Sequence, residues 1–98
     1  MLLIRDIMYC KPGKVRAMVE KFLAVKKIGE KKGMGKMRVL TDVSAERYWT
    51  VVAEMEVESI DAFMNMMQSS DMKDFEEAMK GYHDLVDKGR REIYKIEG

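Results

Sequence analysis

This sequence has one cysteine, one proline, no long apolar run and no excess of either charge. A single thiol, Cys10, cannot close an intrachain disulfide, and there is no Cys-x-x-Cys pair or Cys/His cluster to suggest a zinc site. Cys10 reads as a small apolar residue at a strand end. Basic and acidic side chains number 18 and 17, so the net charge is only +1. That balance excludes a dedicated nucleic-acid binder, which would carry a basic excess or a basic face. The opening "MLLIRD" places charges at positions 5 and 6, too early for a secretory apolar region. No run reaches the length that spans a bilayer, so no membrane association is expected and the expectation is a cytoplasmic protein. The glycines of "GEKKGMGK" follow a helix, where a phosphate loop would follow a strand. They read as a helix stop and a turn.

What is present is charge, at 36% of residues, and methionine, at eleven. The 98 residues are expected to form one domain, 1–98, whose small core needs a supplement. With disulfides and metal sites unsupported, self-association is the supplement left. Four of the methionines fall in "FMNMMQSSDM", residues 63 to 72. Methionine sulfur is a soft ligand, but copper needs sulfurs converging on one point. Helical phase splits these four, so no metal site is assigned.

Periodicity divides the chain into β-α-β-β-α-α-β. "LLIRDIMYC", residues 2 to 10, is β-rich and stops at Pro12-Gly13. Val15, Met18, Val19, Phe22, Val25 and Gly29 then share one helical stripe, which should end near Lys32 before Gly33. "GKMRVLTD" and "RYWTVVAEMEV" read as a pair of strands joined by "DVSAE". On the second of these, Trp49, Val51, Ala53, Met55 and Val57 point one way. Ser59 can cap a short helix with the stripe Ile60, Phe63, Met64 and Met67. After "QSSD", Asp71 and Asp74 open another helix. Its stripe is Met72, Phe75, Met79, Tyr82 and Val86, and Gly89 ends it. "RREIYKIE" is the last strand.

A split β-α-β plan places the first and third strands at the centre of a four-stranded antiparallel sheet. This is an α+β, ferredoxin-like arrangement with all helices on one face. The opposite face should be polar, yet the first strand is apolar on both sides. A homodimer through the sheet face opposite the helices would cover it.

The pattern resembles the dimeric α/β-barrel superfamily, which includes the antibiotic biosynthesis monooxygenase-like and NIPSNAP-like families. The carrying residues are "YCKPGK", "YWTVVAEMEVES" and "GRREIYKIE", and the likeness covers nearly the whole chain. Its motifs are topological and do not name an activity. The resemblance implies a small-molecule-handling protein like the cofactor-independent monooxygenases, with a mainly apolar or aromatic ligand between helices and sheet. No flavin, nicotinamide or metal motif is visible, so no cofactor is expected. Two alternatives stand beside this reading: a non-catalytic ligand-binding or dimerisation module, and a haem-binding protein. The haem-degrading members need an asparagine on the first strand and a tryptophan on a short helix. Here the only asparagine is Asn65 and the only tryptophan is Trp49 on a strand, so that activity is not carried over.

Within this frame the candidate site residues are few. His83, the only histidine, lies at the margin of the last helix stripe, as a border residue, a general base or a haem ligand. Trp49 and Tyr82 could form an aromatic floor for a planar ligand, or simply pack. Met64, Met67, Phe75 and Met79 would line the same space. Arg38 could hold an anionic substrate group, or bridge to a carboxylate across the sheet.

Overall fold

The computed structural model describes residues 1–68 and 72–98. Asp71, expected at the start of the last helix, lies outside the described residues. The chain runs β1 (Leu2–Cys10), α1 (Val15–Lys31), β2 (Met37–Thr41), β3 (Thr50–Val57), α2 (Ile60–Met67), α3 (Met72–Met79), a short 3-10 turn (Tyr82–Asp84) and β4 (Val86–Lys95). The four strands form one antiparallel sheet in the order β2-β3-β1-β4. This is the expected ferredoxin-like α+β fold. Among the described residues, no helix is long and apolar enough to cross a membrane.

Local chemistry accounts for the turns. Lys14 N–H donates to the Lys11 carbonyl at 3.0 Å, and Gly13 has φ 78°. With Pro12 ahead of it, that is a type II turn, which needs a residue free to take positive φ at its third position. At the end of α1, Met34 N–H reaches the Gly29 carbonyl at 2.9 Å and Gly33 N–H reaches Glu30 at 3.2 Å. This Schellman pair around left-handed Gly33 satisfies carbonyls the helix leaves open. Ser59 Oγ accepts from Ala62 N–H at 3.0 Å and caps α2 as expected.

The core sits under α1. Met18, Val19 and Phe22 pack on Cys10, Val51 and Ala53 of the sheet. Burial pushes the Cys10 thiol above its ordinary range, and the charge of Asp87 adds to the shift.

Three expectations are corrected here. First, α3 does not run through Val86: it ends at Met79, and Gly81 turns the chain at φ 82°. Tyr82 and His83 therefore lie on the 3-10 turn, and β4 starts at Val86. Second, Gly89 is no helix stop. It pairs with Met8 inside β4, where a Cβ would stand 2.8 Å from the Met8 sulfur. Third, β3 begins at Thr50, so Trp49 precedes it and does not share its alternation. Trp49 has φ 57°, an unusual backbone for a bulky residue. Thr50 is pinned on both sides of this kink: its N–H donates to Asp42 Oδ1 and its hydroxyl to the Arg47 carbonyl. The kink turns the indole outward, and Trp49 is 47% exposed.

Two tests follow from these contacts. Gly89→Ala should change stability in urea unfolding by less than about 1 kcal/mol, since the new methyl group meets the flexible thioether end of Met8, which can swing aside. For Cys10, the raised folded value contributes stability in full below the free thiol's range, near pH 8.5. As pH climbs through the folded value, the unfolded chain ionises first and the native state loses that contribution. Urea unfolding between pH 7 and 10 should therefore show a decline that is shallower in Cys10→Ala.

Candidate functional site

The helices do not fill the space above the whole sheet. α1 is long and buries three residues, but α2 buries only Phe63 and α3 buries none. Both short helices lay half-buried side chains over the sheet instead of packing into it. A cavity of about 700 Å³ remains between them, α1 and the inner sheet face. Pockets of this size suit small organic ligands.

Its walls are soft and apolar. Eight of the eleven methionines line it: Met8, Met34, Met37, Met55, Met66, Met67, Met72 and Met79. Phe22, Phe63, Phe75 and Tyr82 contribute aromatic surface. Unbranched thioether chains change rotamer readily, so such walls can adapt to a ligand's outline.

Charged residues line the cavity too, Lys26, Asp87 and Lys88 among them, and two more form a pair on the sheet floor. Asp6 and Arg91 are cross-strand neighbours on β1 and β4. Arg91 Nε donates to Asp6 Oδ1 at 2.6 Å and Nη2 donates to Oδ2 at 3.3 Å. The Arg91 guanidinium carbon also lies 5.1 Å from the centre of the Phe63 ring. Two partners therefore orient this arginine, while Nη1 takes no part in the pairing. Sequence reading missed both residues as site groups. A signal was available: an acidic residue at an inward position, on a strand face otherwise made of Leu2, Ile4, Met8 and Cys10.

Of the candidates named from sequence, Tyr82, His83, Met67, Phe75 and Met79 line this one cavity. Tyr82 and His83 stack, with ring centres 4.0 Å apart and planes at 34°. Among the described residues no carboxylate accepts a hydrogen bond from His83, which stands exposed at the cavity rim.

Three candidates are elsewhere. Trp49 is turned out by the kink before β3. Met64 is 46% exposed, because α2 centres its docking on Phe63 and brings the residues three and four further on, Met66 and Met67, to the cavity. Arg38 lies on the opposite sheet face, where its Nη2 is 2.5 Å from Glu54 Oε1. Its alternative role, a bridge across the sheet, is the one the structure shows.

That opposite face carries its own network. Glu54, only 10% exposed at its side chain, also has Arg5 Nε at 3.0 Å, close but not aligned for a hydrogen bond. Arg5 extends to Glu92 at 3.9 Å, and Glu92 accepts from Arg90 and from the Tyr94 hydroxyl. The hydrogen bond to Glu92 is the main cause that raises the Tyr94 phenol above its ordinary value. Beside this network Ile7, Tyr9 and Val52 form a small apolar cluster, with Arg47 stacked 4.4 Å above the Tyr9 ring.

No family model matches the sequence, and no curated protein matches it. Solved structures do. A provisionally named antibiotic biosynthesis monooxygenase from Nitrosomonas europaea superposes with a TM-score of 0.72 at 13% identity, covering 100% of both chains. A NIPSNAP family protein from Agrobacterium tumefaciens gives 0.73 at 9% identity, covering 96% of this chain and 90% of that one. An uncharacterised NIPSNAP domain protein from Burkholderia xenovorans gives 0.69 at 12% identity, covering 98% and 94%. At these identities the likeness establishes a shared fold, the one the sequence pattern resembles.

Proposed function

We propose that this protein binds a mainly apolar, aromatic small molecule in the cavity between its helices and sheet. The observation that carries this reading is the cavity itself, about 700 Å³ with methionine and phenylalanine walls. A dimerisation module with no ligand would gain nothing from leaving that space unfilled, since empty apolar volume costs stability. Arg91 gives the ligand a direction. Held by Asp6 and Phe63, it offers its remaining guanidinium edge to an acceptor such as a carboxylate or phenolate. The ligand class is therefore an aromatic ring system with one anionic or acceptor group.

Oxygenation of the bound molecule is a second reading, favoured by the fold's likeness to a protein named as a monooxygenase. A phenol would take one atom of dioxygen into the ring and release the other in water, leaving a quinone. In this reading His83, at the rim beside Tyr82, would accept the phenolic proton. This reading predicts oxygen uptake with 1-naphthol that His83→Ala lowers.

The chain also pairs, in this reading, as a homodimer through the sheet face opposite the helices. Ile7, Tyr9 and Val52 form an apolar cluster there, with Arg47 laid over the Tyr9 ring. Leu40 and Tyr94 stay exposed on that face.

Binding is tested with 2-naphthoate by calorimetry. Met66→Trp, which places a bulky ring in the cavity, should weaken binding about tenfold or more, a change of at least ~1.4 kcal/mol. Trp49→Ala, outside the cavity, should leave affinity within about twofold. Equal affinity in wild type and Met66→Trp would place the ligand elsewhere.

A further inference from the structure

The charges on the open sheet face are ordered. Arg38 on β2 is paired in register with Glu54 on β3, Glu54 with Arg5 on β1, and Arg5 with Glu92 on β4. Because the strand order is β2-β3-β1-β4, these four residues form one row that crosses the whole sheet and reads plus, minus, plus, minus. Each neighbour in the row is also in contact with the next. The row is antisymmetric about its middle, which falls between β3 and β1.

That antisymmetry discriminates between ways of laying a second copy on this face. A two-fold axis in the interface and parallel to the strands exchanges left and right. Arg38 then meets Glu92 of the partner subunit, and Glu54 meets the partner's Arg5. Every facing pair is opposite in sign. In the adjacent row Ile7 and Val52 are themselves cross-strand partners. The same operation sets Ile7 against Val52 of the partner subunit, so an apolar centre lies beside the charged row. A two-fold axis running along the row instead sets each residue against its own copy, plus on plus and minus on minus. Like charges brought face to face are costly, and complementary ones fix register more than they add affinity.

We propose that this charge row selects the orientation of the homodimer, with the two-fold axis parallel to the strands between β1 and β3. The inference rests on the pairing reading given under Proposed function. The device is economical in sequence, since one row on one face both satisfies the buried Glu54 within the chain and specifies how a second chain may approach. Its origin is the strand register, and none of the four residues is adjacent in sequence to another.

The geometry is tested by cross-linking. Arg38 is 71% exposed at its side chain and Arg5 still faces Glu54 when it is replaced, so Arg38→Cys is a usable cross-linking site, and Cys10 is buried away from reagent. With the axis parallel to the strands, positions 38 of the two chains lie at opposite edges, roughly 14 Å apart along the sheet alone. A mixture of Arg38→Cys and Glu92→Cys proteins should be joined by a short bis-maleimide, whereas Arg38→Cys alone should not. Charge reversal gives the second measurement. Arg38→Glu and Glu92→Arg should each weaken self-association about tenfold or more by sedimentation, and mixing the two should restore it. Self-cross-linking of Arg38→Cys, or a dimer indifferent to both reversals, overturns the orientation while leaving the pairing intact. A wild type that sediments as a monomer at micromolar concentration overturns the pairing itself.

Discussion

β1 is hydrogen-bonded on both sides, to β3 from Leu2 through Tyr9 and to β4 from Leu2 through Cys10. Every feature of possible function depends on that double register. It sets Asp6 opposite Arg91 beneath the helices, and Arg5 between Glu54 and Glu92 on the open face. Side chains alternate along a strand, so a slip of one residue would exchange these faces. Arg5 would then lie under the apolar helices, and Ile4 and Met8 would face outward. The burial of Ile4 on one side and of Ile7 on the other holds the register against that slip.

The two faces serve different ends because the helices are unequal. α1 spans 17 residues and its Met18, Val19 and Phe22 close the core over Val51 and Ala53. α2 and α3 have eight residues each, about two turns, too little to build an independent packed layer. α3 leans on α1 at Gly29, where Phe75 lies 3.9 Å from the position a Cβ would take. The cavity is thus what remains when two short helices rest on a longer one beside a sheet they do not fully cover. Methionines suit such a place, because they reach across irregular gaps without demanding one packing.

The outer face shows how charge can be used where a core is not available. Isolated surface ion pairs add little to stability. A nearly buried carboxylate such as Glu54 is different, since removing its guanidinium partners would leave a charge with little water around it. Arg5 and Arg38 therefore do more for Glu54 than the same pairs would do in free solvent. The alternation of sign from β2 to β4 extends this arrangement across four strands, drawn from positions as far apart as Arg5 and Glu92.

Much of the fold is legible in the sequence, because its signals are local. Alternating apolar residues mark β1 and β3, the stripe from Val15 to Gly29 marks α1, and Pro12-Gly13, Gly33 and Ser59 mark turns and ends. These follow from backbone geometry and from side chains within a few positions. The tertiary structure decided what depends on distant partners. Gly81 and Gly89 are both glycines near an apolar stripe, and only the contact of β4 with Met8 shows which one ends the helix and which lies in a strand. The rotation of α2 that replaced Met64 with Met66 is set by the floor beneath Phe63. Trp49 keeps a backbone bond to Cys10, but its side chain leaves the strand alternation at the φ 57° kink beside Thr50, which Asp42 and Arg47 hold. Asp6 and Arg91, 85 positions apart, became a pair only through strand register. Periodicity states which side of an element is apolar; which residues meet across elements, and whether the space between them is filled, is settled by packing the whole chain.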